Sequence, residues 1–197
     1  MEAGHFEFQF DERIYAPGED EAVRCVHVRP KQESRLYGFC RESGIVCYLP
    51  LRKLCRVKIR HYGKKTYHYP QEVLRPMFPG YLFVRVNPEQ RNRLYGTNAI
   101  VRVINDEAPQ AQAKLLDEIR VVRRIESIAL EAEIEFNAEV REGGKFLVES
   151  GPWQGTYGWL KKKRKRFVWT VELECVNALV QATIDPSQVR LSPVDDA

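Results

Sequence analysis

Cysteine, histidine and long apolar runs are all scarce in this 197-residue chain, and each shortage excludes something. The five cysteines, Cys25, Cys40, Cys47, Cys55 and Cys175, are odd in number and form no C-x-x-C pair, which excludes a disulfide framework. Cys40, Cys47 and Cys55 with His61 and His68 match the spacing of no common zinc module, so free and mostly buried thiols are expected, with no metal. No apolar run approaches the roughly 20 residues that a membrane helix needs. The opening MEAGHFEFQFDERIY is acidic and lacks a basic segment followed by an apolar one, so it does not read as a signal peptide. The expectation is a cytoplasmic protein with no membrane contact. A Gly-rich phosphate loop, G-x-S-x-G and H-E-x-x-H are all missing. His5, His27, His61 and His68 are scattered, and the nearness of His27 to Cys25 follows automatically from two-residue spacing on a strand. The sequence offers no catalytic constellation, and a non-enzyme without cofactor is expected.

What the chain does have is unevenly placed charge. Net charge is only +4. Residues 1–22 hold seven acids and one base, a net of −6, whereas residues 23–78 hold thirteen bases and three acids, a net of +10. A segment at +10 suits a polyanionic partner, and a solvated basic face fits the same charge.

The pattern of residues orders the chain. Phe6, Phe8 and Phe10 recur at period two, as in an added edge strand, before the turn-like APGEDEA. VRCVHVRP reads as a strand ending at Pro30. A helix from about Gln32 follows, with Leu36, Phe39 and Cys40 at helical spacing and Gly44 as its stop. IVCYLPL is a short strand. CRVKIRHYGKKTYHYP alternates on both sides of Tyr62-Gly63-Lys64-Lys65, which predicts a β-hairpin with a basic tip. GYLFVRV, a short helix in NPEQRNRLYG and the strand AIVRVI come next. A long helix then starts near Pro109, with Leu115 or Leu116, Ile119, Val122 and Ile125 as its apolar stripe. This order predicts an α+β protein that begins with a mixed α/β sandwich, a central antiparallel sheet with flanking helices. After EAEIEFNAEVREGG the helical period stops. KFLVE, TYGWLK, RFVWTVELE, ALVQATI and QVRL read as five short strands, the pattern of a small β-barrel. The expected division is an acidic extension 1–22, a domain 23–130, a linker 131–139 without Gly, Pro or Ser, and a barrel domain 140–197.

Two stretches invite a functional reading. KKKRKR, residues 161–166, lies between alternating strands, so it reads as a hairpin turn with its flanks, either solvated or touching phosphates. In MFPGYLFVRV, alternation puts Leu82, Val84 and Val86 on one strand face and Tyr81, Phe83 and Arg85 on the other. The aliphatic face is the core face. The aromatic-arginine face is either a protein interface or the seat of another helix. Pro79, which lacks an N–H, suits a strand's first position, and Gly80 would let a partner approach closely.

PMFPGYLFV resembles the signature of the NusG N-terminal domain. VRPKQE and GIVCYLP resemble its first and second strands with their flanks. REGGKFLVESGPWQGTYGWL resembles the KOW motif, and DPSQVRL the last strand of that five-stranded barrel. The likeness spans residues 23–191. It implies a transcription elongation or antitermination factor. Its N-terminal domain would bind the clamp helices of bacterial RNA polymerase through Phe78, Pro79, Gly80, Tyr81 and Phe83, bridge the cleft and suppress pausing. The hairpin at 56–69 matches the region near the non-template DNA strand, with Lys58, Arg60, Lys64 and Lys65 as phosphate contacts. The KOW barrel would recruit a ribosomal protein or a termination helicase through Gly151, Pro152 and Trp153, the last at an exposed aromatic position, and the protein would be a monomer. The family's first strand opens with Trp-Tyr where this chain has Val23 and Arg24, and FPGYLFV is followed by NPE; both resemble a specialised, operon-specific branch of the RfaH kind. A polymerase gate-loop contact near Arg91 and Arg93 is not recognisable. The different-class alternative is an RNA- or ribosome-binding KOW protein whose α/β domain is a non-catalytic scaffold.

Overall fold

The structure is a computed structural model that describes residues 10–63, 65–104, 108–131, 144–151, 153–163, 166–184 and 189–194. In chain order its elements are β1 (Ala22–Val28), α1 (Glu33–Glu42), β2 (Val46–Tyr48), β3 (Leu51–Tyr62), β4 (Lys65–Pro76), β5 (Tyr81–Val86), α2 (Pro88–Gly96), β6 (Ile100–Ile104), α3 (Pro109–Glu131), β7 (Gly144–Val148), β8 (Tyr157–Lys163), β9 (Arg166–Leu173), β10 (Ala178–Ile184) and β11 (Leu191–Pro193). Single 3-10 turns lie at Glu12–Tyr15 and Glu174–Val176.

The first sheet runs β2-β5-β1-β6, antiparallel throughout. Its centre, β5, is covered on both faces. Leu82, Val84 and Val86 enter a core with Val26 and Val28 of β1, Leu36, Tyr37 and Cys40 of α1, and Leu94 of α2. α2 starts where Asn87 and Gln90 cap each other reciprocally, with Pro88 in the first turn. On the opposite face Phe83 joins Val23 and Cys25 beneath α3, whose Leu115, Ile119, Val122 and Ile125 are almost wholly buried. The stripe at 3.6-residue period therefore lands on the aromatic side of the sheet.

The five C-terminal strands form an antiparallel sheet in the order β10-β9-β8-β7-β11. Trp169, Val171 and Leu173 alternate inward along β9. The barrel expected from the sequence is not closed: β11 pairs with β7 over three residues, and among the described residues no pairing joins β11 to β10. Of KKKRKR, Lys161 to Lys163 end β8 and Arg166 opens β9, with Lys163 paired to Arg166, while Arg164 and Lys165 lie outside the described residues. The linker segment 132–139 and Phe6 and Phe8 lie outside the described residues, and Phe10 is in no strand. No helix among the described residues is long and apolar enough to cross a membrane.

The C-terminal sheet does not stand apart from the first. One apolar core runs from Val23, Cys25 and Phe83 through α3 to Trp153, Trp169, Leu173 and Val176. The turn Glu174–Val176 makes the junction. Cys25 Sγ donates to the Cys175 carbonyl at 3.1 Å, the Cys175 amide donates to Glu118 at 2.8 Å, and Lys114 pairs with Glu174 at 2.5 Å.

The acidic N-terminal segment folds back as well. From residue 10 to 21 it forms a strap across β2, β5 and α3. Ile14 is fully buried, the Phe10 ring meets Tyr48 edge-on at 4.7 Å, and Arg120 and Arg123 lie over Tyr15 and Phe10. Arg85 holds the strap from below, donating to the carbonyls of Arg13 and Ala16 at 2.6 and 2.9 Å while facing Glu21.

Candidate binding surfaces

Residues 78–81 form a turn, not the start of a strand. The Tyr81 amide donates to the Phe78 carbonyl at 3.1 Å, with Pro79 and Gly80 at the two central positions and Gly80 at φ +86°. That is the pattern of a type II turn, in which proline presets the first central residue and glycine takes the left-handed second. The Gly80 amide donates to the buried Glu33 carboxylate at 2.8 Å, and its carbonyl accepts from Val28 at 2.7 Å. Gly80 is thus required by its backbone conformation. It is itself buried, and the room it was expected to leave for a partner is taken.

The aromatic face of β5 is likewise covered. Phe83 is fully buried, with its ring 5.9 Å from Tyr48 and near-parallel to it, and Phe78 is buried too. Burial of such a ring contributes about 2–3 kcal/mol. Tyr81 is half-buried and stacks on His27 at 5.2 Å. Of the five residues assigned to one interface, Pro79 is exposed and Tyr81 partly so, while Phe78, Gly80 and Phe83 are packed. Cys25 is the cross-strand partner of Phe83, so the Cys175 carbonyl rests one strand away from this patch.

The hairpin of β3 and β4 leaves the body of the protein as a two-stranded ribbon of twelve-residue strands, paired from Leu51 opposite Pro76 to Tyr62 opposite Lys65. Directly opposed residues share a face. One face carries Arg56, Lys58, Arg60 and Tyr62 from β3 against Gln71, Tyr69, Tyr67 and Lys65 from β4. The other carries Cys55, Val57, Ile59 and His61 against Glu72, Pro70, His68 and Thr66. Lys58, Arg60 and Lys65 therefore share one exposed face, while Lys64 lies outside the described residues.

The C-terminal loop departs from expectation. Gly151 is exposed, Pro152 lies outside the described residues, and Trp153 is buried in the shared core, only 5% exposed. The loop is pulled in because the Trp153 carbonyl accepts from both the amide and the hydroxyl of Thr156, and the Gly155 amide donates to Val148.

Two acids that the sequence reading passed over position these surfaces. Glu33 holds the Pro79-Gly80 turn. Glu126, buried on α3, accepts from the Tyr48 hydroxyl at 2.9 Å, the Leu51 amide at 2.7 Å and Arg123 at 2.5 Å, and so ties the root of the ribbon to α3. Burial, reinforced by the Glu126 charge, pushes the Tyr48 hydroxyl well above its ordinary pKa, so it stays a donor. The available signal was spacing: Glu126 stands four residues after Val122 and seven after Ile119, on the stripe's side of the helix next to Ile125.

Residues 24–124 match the family model described as transcription termination factor nusG. No curated protein matches the chain. A solved MjSpt4:Spt5 complex, in conformation B, is 13% identical over 89% of this chain and 99% of that one, at a TM-score of 0.26; a likeness that low supports no functional statement.

Proposed function

The chain belongs to the NusG family, and from that premise we propose that it is an elongation and antitermination factor of the specialised, RfaH-like branch. Its domain 23–130 binds the clamp helices of RNA polymerase through the edge formed by Phe78, Pro79, Gly80, Tyr81 and Phe83, and suppresses pausing or termination. The ribbon, with Lys58, Arg60, Lys64 and Lys65, faces the non-template DNA strand. Residues 140–197 act as a KOW domain that recruits a ribosomal protein or termination factor around Gly151, Pro152 and Trp153. The protein is a cytoplasmic monomer, non-catalytic and without cofactor.

The observation that carries this reading is the Phe78–Tyr81 turn. A left-handed glycine, a buried carboxylate and a proline together fix Tyr81 at the rim of the aromatic patch, stacked on His27 with part of its ring still in reach of a partner. The patch behind Tyr81 is closed by α3 and by the turn Glu174–Val176, so full engagement of Phe83 requires the C-terminal sheet to move off.

The test is retention of bacterial core RNA polymerase by the purified full-length protein. Wild type is compared with Tyr81→Ala and with Glu118→Ala/Glu174→Lys, which removes two of the contacts at the junction. The expected result is stronger retention by the junction variant and loss when Tyr81→Ala is added to it. A folded junction variant that retains no polymerase rejects the reading in favour of a ribosome- or RNA-binding role.

A further inference from the structure

The two faces of the ribbon differ in a way that phosphate contact alone does not explain. The cationic face holds Arg56, Lys58, Arg60 and Lys65 and no acid. Glu72, the acid of this ribbon, lies on the opposite face and is paired with Lys53 at 2.7 Å. Among the described residues none of the four cations has an ion-pair partner. Interleaved with them are three tyrosines, Tyr62, Tyr67 and Tyr69, exposed by 62%, 41% and 46%. The Tyr67 and Tyr69 rings are near-parallel, 20° apart in plane and 6.2 Å between centroids, and Tyr62 meets Tyr67 edge-on at 6.1 Å.

Cations suffice for phosphates. A tyrosine hydroxyl can donate to a phosphate, but the ring itself does not serve that contact; it matches the face of a nucleobase, and base-on-ring stacking contributes without regard to sequence. A base presents that face only when it is unpaired, because in a duplex its neighbours cover it. We propose that the cationic face of the ribbon is a stacking platform for unpaired, single-stranded DNA. Bases rest on Tyr67 and Tyr69, and the strand's phosphates are drawn along Arg56, Lys58, Arg60 and Lys65. The occupant is DNA because the proposal rests on the reading of the ribbon as the arm beside the non-template strand. It adds that the strand is held by its bases as well as its charge, and that this holding needs no polymerase.

The experiment is fluorescence anisotropy of labelled 12-nucleotide single-stranded DNA, its duplex and the RNA of the same sequence, titrated with the full-length protein across a salt series. Wild type should prefer the single-stranded DNA to its duplex by at least tenfold. Tyr67→Ala/Tyr69→Ala should weaken it by roughly tenfold or more with the salt slope unchanged. Tyr67→Phe/Tyr69→Phe should restore it. Lys58→Ala/Arg60→Ala should lower the salt slope by about one per cation removed. These side chains are exposed, so each variant should keep the wild-type melting temperature. The stacking proposal falls if the alanine pair binds as wild type does, if duplex binds equally well, or if folded wild type binds no oligonucleotide. Tighter binding of RNA than DNA overturns the choice of strand. Polymerase retention through Tyr81 is scored separately. Failure of retention with oligonucleotide binding intact strikes the polymerase reading, and the converse strikes the platform alone.

Discussion

The thiol of Cys25 on β1 donates to the carbonyl of Cys175, 150 positions later, at 3.1 Å. The hydrogen bond between the two thiol groups, and then burial, push the Cys175 thiol far up. On the other side of the sheet the hydrogen bond to Cys47, and then burial, do the same to Cys40. Burial shields Cys25, Cys40, Cys47 and Cys175, and the raised pKa of Cys40 and Cys175 adds to it, so thiol reagents should find one fast site, the exposed Cys55, and four slow ones. Lifting the C-terminal sheet should release Cys25 and Cys175 together while Cys40 and Cys47 stay silent. Mass-spectrometric labelling with and without polymerase reads this directly. Labelling of Cys25 at the rate of Cys55 in the free protein would contradict the docked junction.

Arg85 is the anchor of the N-terminal strap, through two carbonyls and Glu21. Arg85→Met keeps the side-chain length and removes all three contacts. The strap should loosen, with trypsin cutting after Arg13 at least tenfold faster and global stability falling by about 1–3 kcal/mol. Cleavage at the wild-type rate would show that Ile14 and Phe10 hold the strap without it.

Much of this was legible in periodicity. The hairpin followed from alternation on both sides of Gly63, and the α3 stripe from its 3.6 period, because both are local properties of consecutive residues. That the aromatic face of β5 is covered as well was not legible. The cover comes from Ile119 and Val122 on α3 and from Cys175, and no local pattern around Tyr81 encodes it. The KOW resemblance implies an exposed Trp153, yet Thr156 and Val148 fold its loop inward over the core. Gly80 was read as leaving room for a partner. Its φ of +86° shows the demand to be conformational, which a one-letter code cannot distinguish from space.

Glu126 joins three donors from three elements: Tyr48 of β2, Leu51 of β3 and Arg123 of its own helix. Glu126→Ala leaves the Tyr48 hydroxyl and the Leu51 amide buried without an acceptor, a loss of about 3 kcal/mol. Urea denaturation should show it as a lower midpoint at unchanged slope. In a Tyr48→Phe background the same substitution should cost less, since one orphan is gone. An equal cost in both backgrounds would mean the Tyr48 contact contributes nothing.

Gly80→Ala isolates conformation from space. An added Cβ would meet nothing nearer than 3.5 Å, so the cost is the left-handed backbone alone, about 1–2 kcal/mol. Asparagine tolerates that region better, so Gly80→Asn should recover part of the loss. Equal destabilisation by both residues, measured by thermal melting, would point to crowding at His27 instead.

Gly158 presents the opposite case. Its φ is unexceptional, but a Cβ would lie 2.3 Å from the Thr170 carbonyl oxygen and 2.9 Å from the Trp169 ring. The ring can shift, but the carbonyl belongs to the neighbouring strand and cannot move without breaking the β8–β9 ladder. Gly158→Ala should therefore cost about 3 kcal/mol or more and disturb the C-terminal sheet first. Tryptophan emission should shift to the red as Trp169 meets water, and Cys25 and Cys175 should become reactive while Cys40 and Cys47 remain protected. Trimming the ring with Trp169→Leu should not rescue the variant, because the closer obstacle is backbone. A rescue would place the constraint in the side chain and leave the ladder free to adjust.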